Sequence, residues 1–290
     1  MEHGTKSMYR SFKQVSFWFR KENSTLCSDR KTMCDQKSLF LALCYLFQIN
    51  YLHSMCYSNS STSSNVQLAE RYKKKVGSLK ESEPIYFANG FTFPDWRVIT
   101  NDQEIQVMRW GLIPSWFKES NPKEIASNTL NARIETVHEK ASFRHVIDSQ
   151  RCIVPSTGFF EWKHLGKEKI PFFIYPSSEL HFSIACIFDQ WVEPLTGRTI
   201  RSFSILTTEA NPLMREIHNT KMRMPVLLLP DQEKNWMEGK LKTEEIQVPF
   251  PDSLMDAREV SKKLLNSPQA NSELAQKAYN NGIGEQGNLF

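Results

Sequence analysis

No Cys-x-x-Cys pair and no zinc-type Cys/His spacing occurs in this 290-residue chain, so it lacks the ligand pattern of a structural zinc site. It also has no apolar run long enough to cross a bilayer as a helix. The run over residues 39–49 is 11 residues long, against the roughly 20 that a span requires. That length suits a signal-peptide core, but 38 residues precede it, too many for such a segment. Lipoprotein processing ahead of Cys56 fails because Met55 is not a small residue. Net charge is missing from most of the chain. Residues 1–54 hold eight basic and four acidic side chains, and taking these from the 36 basic and 32 acidic residues of the whole leaves 28 of each. Any nucleic-acid site in residues 55–290 must therefore be a local basic groove. Nothing in the sequence points to a metal, nucleotide or organic cofactor.

What is present fits a globular chain: 40% hydrophobic residues with 12% aromatics exclude disorder as the general state. Residues 55–290 are enough for one sizeable core. Residues 1–54 read differently. They show no helical or strand period before Lys37, and we read them as an upstream extension or a misassigned start, with Met55 as the initiator. A genuine extension, cleaved before Cys56 or retained, is the alternative. The expected organisation is 1–54 as extension, 55–275 as one domain and 276–290 as a loosely ordered tail. Cys27, Cys34 and Cys44 lie upstream, and Met33-Cys34 is a second Met-Cys pair with no related motif after it. Cys152 and Cys186 sit in apolar runs and read as small buried hydrophobes, in keeping with a reducing cytosol.

Hydrophobic periodicity predicts helices over 65–76, 136–149 and 211–217, and a further one from 231 to 237 with Asp231 as its cap. Strands are predicted over 97–100, 104–110, 152–155, 159–163, 171–175, 180–188, 201–207 and 224–229, with strand and turn over 84–96 and a loop over 111–121. Strands outnumber helices and cluster without βαβ alternation, which predicts an α+β fold with a mainly antiparallel sheet.

Met55-Cys56 is followed by four ordered motifs: Trp110-Gly111-Leu112-Ile113-Pro114-Ser115-Trp116; Asn131-Ala132-Arg133; Arg151-Cys152-Ile153-Val154-Pro155 leading into Gly158-Phe159-Phe160-Glu161-Trp162; and His218 leading into Arg223-Met224-Pro225-Val226. On these the chain, from Met55 to about Asn271, resembles the SRAP (SOS response-associated peptidase) family. The resemblance implies a bifurcated β-sheet with a small barrel and flanking helices. It also implies a DNA-damage function: covalent capping of abasic sites in single-stranded DNA.

The residues support that chemistry individually. If Met55 initiates and is removed, Cys56 carries an amine and a thiol on adjacent carbons, a pair that condenses with an aldehyde into a thiazolidine ring. An α-amino group titrates near 7.7–8.0, so a useful fraction is nucleophilic. Glu161, flanked by Phe160 and Trp162 in an apolar strand, is expected to be desolvated and suited to proton transfer or to holding the Cys56 ammonium. Strand alternation puts Phe160 and Trp162 on the face opposite to it. His218 is a proton-transfer candidate. Asn131 can hold an opened sugar or the amine through its amide. Arg133 can bind phosphate bidentately, and Trp116 and Phe117, after Pro114, can stack on unpaired bases. Thr207 and Arg223 are DNA-binding candidates on the resemblance.

Two features depart from the family. Residues 219–222 separate His218 from Arg223, where many relatives place the Arg-Met-Pro sooner. Tyr57-Ser58 follows the cysteine where many have Gly-Arg, so another cation is needed at the phosphate, with Arg109, Lys118 and Arg144 as candidates.

The leading reading is an abasic-site sensor acting as a monomer on single-stranded DNA, with lyase activity as a side outcome. It would work in the cytoplasm, at the nucleoid when on DNA, without membrane attachment. A cysteine peptidase built on Cys56, His218 and Glu161, acting only on itself or more widely, is the second reading. A non-catalytic single-strand-binding module is the third.

Overall fold

Ser64 and Gln67 cap the first helix reciprocally: the Ser64 hydroxyl accepts from the Gln67 amide at 3.2 Å, and the Ser64 amide donates to Gln67 Oε1 at 2.8 Å. This capping box starts α1 (Asn65–Tyr72), which buries Leu68, Ala69 and Tyr72 and stops at Lys73 in the left-handed region. The computed structural model describes residues 57–279. Met55, Cys56, the expected 1–54 extension and residues 280–290 lie outside the described residues.

Two sheets organise the described chain. The first runs β13-β8-β7-β1-β2: β1 (Ser58–Ser61), β2 (Ile85–Asn89), β7 (Gly158–Leu165), β8 (Glu168–Pro176) and β13 (Met255–Glu259), all neighbours antiparallel. The second runs β12-β9-β10-β4-β3, with β5, β6 and β11 attached to β10, β9 and β10. Its members are β3 (Asp95–Val98), β4 (Gln106–Trp110), β5 (Asn131–Arg133), β6 (Arg151–Ser156), β9 (Phe182–Val192), β10 (Thr199–Glu209), β11 (Arg223–Pro225) and β12 (Leu227–Leu228).

This second sheet forks. β9 and β10 pair from Val192–Thr199 as far as Cys186–Ile205, then diverge. The segment 223–228 fills the gap: β11 pairs with β10, β12 pairs with β9, and Val226 between them bonds Leu206 and Ala185 at 2.9 and 2.8 Å. The α+β, mainly antiparallel and bifurcated expectation describes this arrangement. The expected small barrel is not closed. Ile99 and Ile153 exchange bonds of 2.9 and 2.8 Å that bring the end of β3 back to β6, but the bridge is isolated and no ladder continues it.

The sheets pack face to face over Phe159, Ile174, Val154, Ile184, Cys186 and Phe203, with Cys152 and Cys186 fully buried and opposite each other as expected of small hydrophobes. A second core under α1 takes Leu68, Ile134, Val146, Ile187 and Trp236.

Other helices are short: α2 (Lys123–Asn128), not anticipated, α3 (Pro212–Ile217), α4 (Pro230–Met237) and α5 (Lys262–Leu265). The cap of α4 is Leu229, not Asp231: Pro230 occupies the first helical position and Gln232 reaches back to the Leu229 amide at 3.0 Å. The helix expected over 136–149 is a 3₁₀ turn (Ile134–Thr136) and a chain of turns. There single carbonyls, Lys140 and Phe143, each accept from residues three and four ahead, and Arg151 Nε takes the Ile147 carbonyl at 2.6 Å, so no consecutive i→i+4 ladder forms. Phe143, Val146 and Ile147 still reach the core, which is why the pattern resembles a helix. The C-terminal stretch packs on the first sheet as far as the described residues extend. Ala275 is fully buried among Phe160, Phe173 and Leu265, and the Tyr279 amide donates to the Glu259 carbonyl at 2.9 Å.

Candidate active site

Strand alternation explains the environment of Glu161. Phe159 faces the inter-sheet core, while Phe160 and Trp162 face the cluster under the C-terminal stretch. Glu161 thus shares the side of Phe159, and its carboxylate is 3% exposed. Against that side packs the end of α3. Asn211 caps this helix by accepting from the Met214 amide at 2.9 Å, and Pro212 opens its first turn. The helix ends at His218, whose amide donates to the Met214 carbonyl at 2.7 Å.

The His218 ring is 2% exposed, with Nδ1 3.8 Å from Glu161 Oε1 and 2.9 Å from the Arg223 carbonyl oxygen. A carbonyl only accepts, so Nδ1 carries the hydrogen, and Nε2 of the neutral ring is left as the proton acceptor. The 3.8 Å separation is too long for a hydrogen bond. The pair is a carboxyl group and an imidazole held side by side.

The fork carries the site from His218 to Asn131. Arg223 on β11 stands opposite Glu209 of β10, and Thr207 of β10 stands opposite Arg133 of β5. Arg223 donates from both terminal nitrogens to Glu135, at 2.7 and 2.9 Å, and to the Thr207 carbonyl and hydroxyl, at 2.6 and 3.2 Å. Burial raises the Glu135 pKa, but the bonds from Arg223, a backbone hydrogen bond and the charges of Arg223 and Arg133 together hold the carboxyl below its usual range. Thr207 is fully buried and Arg223 nearly so. Both were expected to contact DNA; in the folded chain Arg223 bonds Glu135 and Thr207, and the Thr207 hydroxyl reaches the Ala132 carbonyl of β5 at 3.4 Å.

Asn131 and Arg133 project from β5 into an open groove of about 470 Å³, which Thr136, Lys140, Ser142 and Phe143 also line. Arg133 and Lys140 are exposed there. Trp116 stands beside this groove: its ring is 45% exposed and its Nε1 donates to the carbonyl of Ala141, a lining residue, at 3.3 Å. Phe117 separates from it and turns inward against the Trp191 ring at 6.2 Å, where its carbonyl accepts from Trp191 Nε1 at 2.7 Å. It packs, partly buried, against the small core of Ile113, Ala126 and Trp191. Of the cations weighed for phosphate, Arg109 lies 3.6 Å from Asp95 and Arg144 Nε donates to His145. Lys140, which the sequence reading passed over, lines the groove instead, and its position in the predicted helix gave no signal for this.

Cys56 lies outside the described residues. Its neighbour Tyr57 is held: the carbonyl accepts from the Gly90 amide at 2.7 Å and the ring lies 4.7 Å from Phe91. β1 begins at Ser58 opposite Phe160, then runs Asn59 opposite Phe159 and Ser60 opposite Gly158. The chain therefore enters β1 opposite Phe160, the residue before Glu161 in the middle of β7. Asn59 Oδ1 accepts from the Ser60 amide and from the Ser156 hydroxyl, locking this register with small buried polar groups. The arginine of the Cys-Gly-Arg pattern is replaced here by Ser58, which is buried.

The family described as SOS response associated peptidase (SRAP) matches residues 55–267. The abasic site processing protein YoaM of Bacillus subtilis is 39% identical over 170 residues, covering 57% of this chain and 71% of that protein. YoqW of the same organism, which carries the same description, is 40% identical over 57% of this chain and 72% of its own length. The abasic site processing protein HMCES of Rattus norvegicus is 34% identical over 175 residues, and there this chain spans about half, 48%, of the relative. A crystal structure of a Bacteroides thetaiotaomicron protein superposes with a TM-score of 0.72 at 39% identity, covering 77% of this chain and 100% of that one. A Bordetella bronchiseptica protein shares the fold at a TM-score of 0.59 and 23% identity, over 71% of this chain and 100% of its own. The chain belongs to the SOS response associated peptidase (SRAP) family.

Proposed function

We propose that this protein processes abasic sites in DNA, binding single-stranded DNA and capping the lesion through a thiazolidine at Cys56. The relatives described as abasic site processing proteins support the substrate class. The observation that carries the mechanism is the buried Glu161–His218 pair, with Glu161 in the middle of β7 next to Phe160, which faces Ser58 where the chain enters β1, two residues after Cys56. The family match begins at Met55, in keeping with a protein whose working N-terminus is Cys56, a single domain from there to about residue 275, acting as a monomer.

The abasic sugar must first open to its aldehyde, which needs a proton delivered to the ring oxygen and one removed from the anomeric hydroxyl. Glu161 and His218 Nε2 are the donor and acceptor. The Cys56 amine then adds to the aldehyde carbon; the resulting hydroxyl leaves as water with a proton from the same pair, and the nitrogen returns a proton to that pair to give the neutral imine. The thiol adds to the imine carbon and its proton passes to the nitrogen, closing the ring with net loss of one water. Asn131 holds the opened sugar, Arg133 and Lys140 hold phosphates along the groove, and Trp116 stacks a base beside it. Strand-cleaving lyase action would follow from the same imine. Among the described residues no helix is long and apolar enough to cross a membrane; we place the protein in the cytoplasm, at the nucleoid when it acts on DNA.

The family's name favours a second reading, a peptidase with Cys56 as thiol nucleophile and self-processing before Cys56 as its minimal form. Mixing the protein with abasic and intact oligonucleotides, single- and double-stranded, tests the first reading by denaturing gel. A heat-stable adduct confined to the abasic single strand is expected. Cys56→Ser should lose it while keeping a borohydride-trappable imine. An adduct that persists after the N-terminal amine is acetylated would overturn the proposal, whereas peptide cleavage abolished by Cys56→Ser would favour the peptidase.

A further inference from the structure

We propose that Asn219 is a positioning residue that holds His218 against Glu161 by acting as a one-residue strand on the free edge of β7. β8 covers one edge of β7 through Leu165, but on the other edge β1 pairs only with Gly158, Phe159 and Phe160. Beyond that point the Asn219 amide takes over. Its Nδ2 donates to the His164 carbonyl at 2.9 Å, and its Oδ1 accepts from the His164 amide at 3.0 Å. Those are the two bonds a paired strand residue would exchange. The stretch 161–163 is therefore flanked by the start of β1 on one side and by Asn219 on the other.

The same loop is pinned at both ends. The Met222 amide donates to the His218 carbonyl at 2.8 Å, and the Ala210 amide donates to the Met222 carbonyl at 2.9 Å. Met222 takes a left-handed φ of 52°, a conformation that a non-glycine residue adopts only under strain. The loop is residues 219–222, which separate His218 from Arg223. Asn219 directly follows His218 and grips the strand three residues from Glu161. That grip fixes the imidazole laterally while the Arg223 carbonyl fixes its tautomer. A loop serving only to join α3 to β11 would not need both amide atoms on β7.

The rate test rests on the capping activity proposed above; the spectroscopic test does not. The protein is made from its full coding sequence and its N-terminus read by mass. Adduct formation is followed against the concentration of an abasic single-stranded oligonucleotide, and the His218 ring nitrogens are followed by NMR. For Asn219→Ala the saturating rate constant should fall about tenfold or more, the scale of small misplacements remote from the chemistry. The half-saturating DNA concentration should change less than about twofold, since no phosphate or base contact is lost. In a His218→Ala background the same change should add nothing, because its effect runs through the ring. The His218 Nδ1 proton signal, hydrogen-bonded in the wild type, should shift or broaden. Asn219→Asp keeps the acceptor and loses the donor, and serves where the alanine variant does not fold. Unchanged His218 signals with an unchanged saturating rate would overturn the proposal. A wild-type protein that forms no adduct would sink the capping reading instead, and the ring signals would still decide the role of Asn219.

Discussion

In the proposed mechanism His218 acts as a base only through Nε2, because its other nitrogen is spent on the Arg223 carbonyl. His218→Ala should therefore lower the saturating rate of adduct formation by about 10²–10⁴-fold, the usual worth of a positioned acid or base, with little change in DNA affinity. Pre-steady-state gels at saturating oligonucleotide measure it. Arg223 leads to a different expectation. Its guanidinium is buried against Glu135 and Thr207, so Arg223→Ala should destabilise the fold by about 1–3 kcal/mol, the cost of a lost charged hydrogen-bond partner, as read by urea midpoints. Direct DNA contact by Arg223 would instead weaken binding without moving the midpoint. The sequence made Glu161 and His218 legible because their types, strand alternation and family motifs agree. It hid the fate of Arg223 because the deciding partner, Glu135, lies 88 residues away. Phe117 and Trp116 illustrate the same limit: adjacent in sequence, they point to core and groove, and only packing distinguishes them.

At the scale of elements, β7 is held by what presses on it. Gly158 pairs with Ser60, and a Cβ there would meet the Phe173 ring at 2.4 Å and the Ile174 carbonyl at 2.6 Å. The ring could rotate, but the carbonyl belongs to the neighbouring strand and cannot yield without moving β8. Gly158→Ala should cost about 1–3 kcal/mol of stability and slow adduct formation by shifting the β1–β7 register; thermal melts and gel kinetics measured together check both. Most strands were readable as short apolar runs between turn residues, and their ends fell within a few positions. Residues 136–149 were not, because a chain of turns that buries Phe143, Val146 and Ile147 presents the same spacing as a helix. The pairing order was not readable at all. That 223–228 splits between β10 and β9 depends on the fork, a long-range arrangement with no local signal.

For the molecule as a whole, charge and pH give the separate tests. Residues 55–290 carry equal numbers of acids and bases, so affinity for DNA must come from the few cations at the groove. Arg133→Ala and Lys140→Ala should each weaken single-strand binding and flatten its logarithmic salt dependence by about 0.7 per phosphate lost, which fluorescence titration at several salt concentrations measures. Away from the site, His181 is buried with its Nε2 on the Ser63 hydroxyl. Burial, then Arg71 and Arg97, pushes its pKa down to about 4. Unfolded histidine titrates near 6.5, so the unfolded chain binds this proton first as pH falls. The stability contribution is present above about pH 6.5 and is lost toward pH 4, up to about 3 kcal/mol. Denaturant midpoints at pH 7 and 5 should show that fall, and His181→Gln should flatten it.

The central claim is the chemistry of Cys56, and intact mass tests it most directly. Protein made from the full coding sequence and the chain begun at Met55 are weighed before and after mixing with an abasic single-stranded oligonucleotide, without reductant. The account predicts an N-terminus at Cys56 and a heat-stable adduct one water lighter than the sum of protein and DNA. A free Cys56 terminus that yields no adduct would contradict it.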